Sequence, residues 1–425
     1  MLVDVGIARQ SLIVGSPAGE WVYSYFQPFR WAAVWTALLT ITLAVGLIDV
    51  ESEIRRTSAL LMLWFAVGLV TQVLLRALTP YTLAEMFASS GANSFYDAAR
   101  HDVASRVLRD FHALRLSWPI HAQSNMPGKI MLVYAFQLVS DHPDGMALLV
   151  LAVSNLGAFL MYWFTADLMK DKRMALWAAA LYLVVPAKLF FFPLMNTVTP
   201  VVVLLSACLL QRWLTTGRAL FAALLGVALY ALVFWEPLPL VMGLLFAALL
   251  GNALRDGTLP WRTCAVHGLL AVMTFAASYA IVRMLFGFDV AMALRDVGAH
   301  ASEFNRDSGR PYGLWVRQNL LDFAFGIGIS QAVLTIVALG DGLVRWRSPI
   351  VLLTASLIAV LLVTDLLGVN RGEIVRLWIF LACFFQIPAA YVCARLDSRV
   401  AIGLLLAVTL LHDALGTAMI GFIVP

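Results

Sequence analysis

The chain has 425 residues, 62% of them hydrophobic and only 13% charged. A soluble domain carries roughly 25% charged residues, so this composition excludes an ordinary soluble enzyme and points to a polytopic membrane protein. The formal net charge of +4 is small, and no basic tail or zinc-finger spacing points to nucleic acid.

The N-terminus lacks a charged region followed by a long apolar run, so no cleavable signal peptide is expected. A spanning helix needs about 20 apolar residues. Two such stretches come first, at 31–49 and 59–77, and a long mixed segment, 78–144, follows them. Further stretches lie at 145–168, 174–190, 194–211, 219–235, 237–254 and 264–287. After a second mixed segment, 288–319, come 320–340, 348–368, 374–394 and 400–421. The expected fold is an all-α membrane bundle of about twelve spans, with 1–425 forming a single transmembrane domain. The four cysteines, Cys208, Cys264, Cys383 and Cys393, lie in or beside apolar stretches without CxxC spacing. They indicate neither a disulfide framework nor a metal knuckle.

Lys and Arg in short loops set orientation. One alternating set of loops holds Arg55, Arg56, Lys170, Lys172, Arg173, Arg212, Arg218, Arg255, Arg262, Arg345, Arg347, Arg395 and Arg399. The short loops of the other set hold only Lys188 and Arg371. The first set is therefore expected in the cytoplasm, and the long loops 78–144 and 288–319 outside.

The stretch SNMPGK, Ser124 to Lys129, leads into the apolar run 129–140. Twelve helical residues reach only about 18 Å, against a hydrocarbon core of roughly 30 Å. Counting this run as a span would also put the basic KDKR loop on the opposite side from Arg55 and Arg56. It is therefore expected to be a juxtamembrane helix. Upstream, Val103, Val107, Leu108, Phe111 and Leu114 recur at helical spacing from Tyr96 to Leu114, which predicts an interfacial amphipathic helix.

This layout resembles the GT-C superfamily of membrane glycosyltransferases, which includes protein mannosyltransferases and lipid A aminoarabinose transferases. The resemblance rests on SFYDAARH after an early span, on SNMPGKIMLVYAFQLVSDHPDGMALL, and on the helix pair ALYLVVPAKLFFFPLMNTVTPVVVLLSACLL. Together these cover roughly residues 59–215, and NRGEIVRLW is similar to a late Gly-Glu-x-x-Arg element of some relatives. The resemblance implies transfer of a sugar from a polyprenyl-phosphate carrier on the extracytoplasmic side, usually with inversion. An acidic residue of the first outer loop would act as general base, and basic residues would hold the phosphate. The acceptor, a lipid, glycan or protein, is not legible. Some relatives use a divalent metal ion and others do not, so metal dependence is open; no organic cofactor is implied. The implied setting is the bacterial cytoplasmic membrane and cell-envelope chemistry.

Asp97 is the first candidate base, at the start of a short outer helix where a carboxylate can accept a hydroxyl proton. Relatives often carry the acid further upstream, where this chain has Asn93. The competing structural reading is a capping box formed by Ser94 and Asp97, with Arg100 and His101 pairing to the acid. Glu85 and Asp102 are the substitute bases. Lys129, Lys188, Arg371 and Arg376 are candidate phosphate ligands, because ammonium and guanidinium groups match phosphate oxygens. The structural alternatives are a lysine snorkelling to headgroups and a Glu373–Arg376 ion pair at i, i+3. Asn125 lies beside Lys129 in the same turn, and His300, Glu303, Arg306 and Arg310 in the second outer loop are candidates for the acceptor side, with a solvated loop as the structural alternative. His101, His112 and His121 fit no metal motif, and His412 and Asp413 are read as a buried polar pair. A flippase or transporter is the alternative from another class, expected to show paired half-repeats and midplane charges. A polysaccharide ligase is another, using 288–319.

Overall fold

The computed structural model describes residues 5–6, 9, 27–51, 53–54, 56–341, 348–423 and 425. The protein is an all-α polytopic membrane protein. Nine helices among the described residues are long and apolar enough to cross a bilayer. A bent pair, Tyr312–Ile327 with Ile329–Gly340, makes a tenth candidate, and Ala219–Trp235 and Ile379–Arg395 are shorter apolar pieces. Every one of the twelve expected spans thus meets an apolar helix, whole or broken.

The breaks have local causes. The expected span 320–340 is two helices at 100°, and the first begins at Tyr312, inside the expected second loop. Gly328 forms the corner at φ +94°, a conformation that L side chains rarely adopt. Pro186 starts a new short helix after Lys172–Leu183, since proline cannot continue the hydrogen-bond ladder.

The Lys172–Leu183 helix is the axis of the bundle and is buried almost from end to end. It packs on Pro143–Met169, Thr57–Arg76 and Gln386–Arg395. Small residues permit this closeness. A Cβ on Gly157 would come within 1.9 Å of the Tyr182 hydroxyl.

Polar side chains gather at the two ends. At the end of the basic loops, Arg173 pairs with Asp397, Arg395 with Asp341, and Arg212 with Asp167. At the other end, segments expected on a common side meet: Lys129 with Glu236, His121 with Arg376, and His112 with Asp296. The alternation read from charge therefore matches the packing, although Arg55, Arg345 and Arg347 lie outside the described residues.

Segment 78–144 is a chain of short helices. Leu83–Ala88, Phe95–His101, Ala104–Arg109, Phe111–Leu114, Ile120–Gln123 and Gly128–Gln137 follow one another. The expected continuous helix from Tyr96 to Leu114 is therefore corrected. Asp102 is extended and ends the first piece, and its carbonyl accepts from the Tyr134 hydroxyl at 2.7 Å instead of continuing the ladder. The juxtamembrane reading of 129–140 agrees with the ten-residue helix Gly128–Gln137, too short to cross.

Candidate functional site

The capping-box reading of Ser94 and Asp97 is also corrected. Ser94 has φ +53° and makes no side-chain cap; its hydroxyl donates to the Ser90 carbonyl at 2.6 Å. The capping box sits instead at Thr82 and Glu85. Thr82 N–H donates to Glu85 Oε2 at 2.7 Å, and this bond, with a second from the Thr82 hydroxyl, lowers the Glu85 carboxyl below its ordinary pKa. Glu85 is thus committed to its helix end. Among the described residues Asp97 has one ion-pair partner, His101 Nε2 at 3.4 Å, and its side chain is 35% exposed. Asp102 is held by Arg106 at 2.6 Å and is nearly buried.

The turn before Gly128–Gln137 does most of the positioning. A Cβ on Gly128 would lie 2.7 Å from both the Phe234 carbonyl oxygen and Trp235 Cα. Only glycine lets this helix start rest on that backbone, and the seating brings the next residue, Lys129, against Glu236. The Lys129 ammonium is fully buried, 2.9 Å from Glu236 Oε2. It also donates to Asn125 Oδ1 at 2.9 Å and lies 5.5 Å from the Phe95 ring centre. Glu236 accepts further from the Thr199 hydroxyl at 3.0 Å. Burial pushes the Lys129 ammonium below its ordinary pKa, and Glu236 offsets only part of that.

His121, Asn125 and Lys129 follow at intervals of four, and Asn125 Nδ2 donates to the His121 carbonyl at 2.8 Å. His121 Nε2 faces Arg376 Nη1 at 3.2 Å. Burial first, then the Arg376 and Lys129 charges, push His121 down to about 3, against a smaller upward pull from Glu373 and the Gly91 backbone. The imidazole is therefore neutral at pH 7, and its Nε2 accepts from the guanidinium.

Arg376 stands one turn after Glu373, which occupies the left-handed region at φ +57°. That turn is tied to the bundle by Asn319, which accepts from Gly372 N–H at 3.2 Å and donates to the Asn370 carbonyl at 3.1 Å. Glu373 is paired with Arg376 and, at 3.0 Å, with Arg310. Burial raises the Glu373 carboxyl, but the Arg376 and Arg310 guanidinium groups outweigh it, so its pKa lies below the ordinary value. Arg310 also donates to the Arg371 carbonyl at 2.7 Å, and Arg371 returns a bond to the Arg310 carbonyl at 2.9 Å.

Among the described residues, Lys129, Arg310, Arg371 and Arg376 thus gather around two carboxylates, Glu236 and Glu373, and a third, Asp365, joins the same turn through Asn319, which donates to it at 2.9 Å. Arg376 Nε is buried and has no hydrogen-bond partner among the described residues. Native proteins rarely leave such groups unmet. The helix of Asp97 packs against Ile120–Gln123 and Gly128–Gln137, which carry His121 and Lys129.

Not every candidate joins this cluster. Lys188 is buried in the bundle, with Asn155 Oδ1 at 2.5 Å and the Tyr182 ring centre at 4.5 Å. His300 and Glu303 lie on Val290–Asp307 and pair with none of the described residues. No group of three or more His, Cys, Asp or Glu side chains among the described residues is arranged to hold a metal ion. Glu236 had no signal in the sequence; Arg310 was legible there only as an acceptor-side residue and His121 only as a rejected metal ligand, although the i, i+4 run His121–Asn125–Lys129 was a readable signal for the histidine.

No protein-family model and no curated protein matches the chain. Among solved structures it is similar to the archaeal oligosaccharyltransferase AglB from Archaeoglobus fulgidus in complex with an inhibitory peptide and a dolichol-phosphate, at 14% identity and a TM-score of 0.49. The match covers 84% of this chain and 56% of that one, so the chain spans little more than half the length of that protein.

Proposed function

We propose that the protein is a GT-C-type membrane glycosyltransferase that takes a sugar from a polyprenyl-phosphate donor at the extracytoplasmic face and passes it to a lipid, glycan or protein hydroxyl with inversion. The observation that carries this reading is the buried Arg376 Nε, which has no hydrogen-bond partner among the described residues, at the end of the bundle opposite the basic loops. A buried guanidinium N–H is costly to leave unmet, and a phosphate oxygen satisfies it.

In this reading Asp97, free of cap duty, accepts the proton of the acceptor hydroxyl as its oxygen bonds to the sugar's anomeric carbon. The bond from that carbon to the phosphate oxygen breaks, and polyprenyl phosphate leaves with the electron pair. Arg376 donates its unpartnered Nε–H to a phosphate oxygen. His121 and Glu373 hold the guanidinium in place. Lys129 lends charge through Glu236 and Asn125 and does not touch the donor, since its ammonium is fully enclosed.

Binding of a labelled polyprenyl-phosphate sugar to the purified protein tests the reading. Arg376→Gln is expected to weaken binding by about tenfold or more, the value of a lost charged hydrogen bond. Binding no tighter than that of the uncharged polyprenol would overturn it. A transporter is the second reading, favoured by Lys188, which lies inside the bundle with only neutral partners, Asn155 and Tyr182. Lipid-linked sugar flux that stops in Lys188→Met, without any transfer, would select it.

A further inference from the structure

At the end of the bundle that carries the basic loops, a cavity of about 340 Å³ lies between helices. Glu51, Thr57, Lys172, Arg173 and Arg399 form its polar lining, and Leu60 is part of its apolar wall. The charges are not equally occupied. Arg173 pairs with Asp397 and lies over the Trp177 ring at 4.5 Å. Glu51 accepts from Trp177 Nε1 at 3.0 Å. Lys172 and Arg399 have no hydrogen-bond or ion-pair partner among the described residues. The lining therefore offers two cations without an ion-pair partner among the described residues against one carboxylate, Glu51, whose bond is to a neutral indole, leaving one net positive charge.

Two further features agree. Thr57, Lys172 and Arg399 are each the first residue of a helix, so three positive helix ends converge on the cavity. The Thr57–Arg76 helix also presents Met62 and Leu63 on its outer surface, 58% and 43% exposed, just beyond Leu60. An anionic site bordered by lipid-facing apolar surface matches a molecule with a charged phosphodiester head and hydrocarbon tails. The charge rule puts this end at the cytoplasmic leaflet, where anionic lipids concentrate and basic interhelical pockets take their headgroups.

We infer that this cavity is a headgroup site for an anionic glycerophospholipid, with its phosphodiester between Lys172 and Arg399 and its acyl chains along the outer side of Thr57–Arg76. The site is separate from the Arg376 cluster and does not depend on the proposed reaction.

The test follows tryptophan-fluorescence melting of the full chain in micelles, titrated with short-chain phosphatidylglycerol, short-chain phosphatidylcholine or inorganic phosphate. Phosphatidylglycerol is expected to raise the melting temperature saturably, while the other two do not. Lys172→Gln/Arg399→Gln is expected to lower apparent affinity about thirtyfold and Lys172→Gln alone about fivefold, given the value of each charge near an anionic headgroup. Lys170→Gln, which removes a charge from the same end outside the cavity, is expected to leave affinity unchanged. Equal stabilisation by phosphatidylcholine, an equal effect of inorganic phosphate, retention in the double variant, or an equal loss in Lys170→Gln would each overturn the inference.

Discussion

The buried pair of Lys129 and Glu236 carries a quantitative prediction. At 2.9 Å and an effective dielectric of about 20, their attraction is about 6 kcal/mol. Desolvation opposes it, and in Lys129 it outweighs the attraction, since the ammonium titrates below its ordinary value. The pair is therefore costly to break and cheap to replace whole. Glu236→Gln leaves the ammonium enclosed with Asn125 alone, and Lys129→Met leaves the carboxylate with the Thr199 hydroxyl. Each single change is expected to destabilise by about 3–5 kcal/mol. Lys129→Met/Glu236→Gln removes both charges, and its loss is expected to be under half the sum of the singles. Denaturant titration of the full chain in micelles measures all four corners. Single losses below about 1 kcal/mol, or simple additivity, would refute the claim that these charges balance each other.

Three further outcomes follow from the same geometry. His121 is pushed down to about 3 in the folded protein, against 6.5 for the free side chain. The unfolded chain then binds the extra proton as pH falls below 6.5, so stability is whole above that pH and declines below it, by about 2 kcal/mol at pH 5. His121→Gln keeps an acceptor for Arg376 and lacks this titration, so a pH-stability profile that does not flatten in the variant would count against the buried neutral imidazole. Gly128→Ala forces a Cβ to 2.7 Å from backbone and is expected to cost about 1–3 kcal/mol, measured by the same titration; an unchanged stability would deny the close approach. Glu85→Gln keeps an acceptor for the Thr82 N–H and is expected to leave both melting temperature and donor binding unaltered. A tenfold loss of binding would return Glu85 to the site.

The spans were legible because lipid imposes one rule along the chain, about twenty apolar residues between polar ends. Charge alternation was legible for the same reason, and so was the failure of 129–140 to cross. The breaks were harder to read. Gly328 and the Asp102 turn depend on what packs beside them, such as the Tyr134 hydroxyl on the Asp102 carbonyl. At the site, Lys129, Arg371, Glu373 and Arg376 stood out because charge is scarce in an apolar chain. Glu236 did not, and Arg310 was legible only as an acceptor-side residue, because they are 107 and 181 positions beyond Lys129 along the sequence, and only the fold brings them near. The capping-box spacing fits Ser94 and Asp97 as well as Thr82 and Glu85, and the left-handed backbone at Ser94, which spacing does not reveal, decides against the first.

The central claim is that Asp97 is the base of a sugar transfer. The direct measurement is transfer from a labelled polyprenyl-phosphate sugar by purified wild type, Asp97→Asn and Glu85→Gln, with folding checked by melting temperature. The account predicts transfer by wild type and Glu85→Gln, and a fall of about 10²–10⁴-fold in Asp97→Asn at unchanged stability. Full transfer by Asp97→Asn would contradict it.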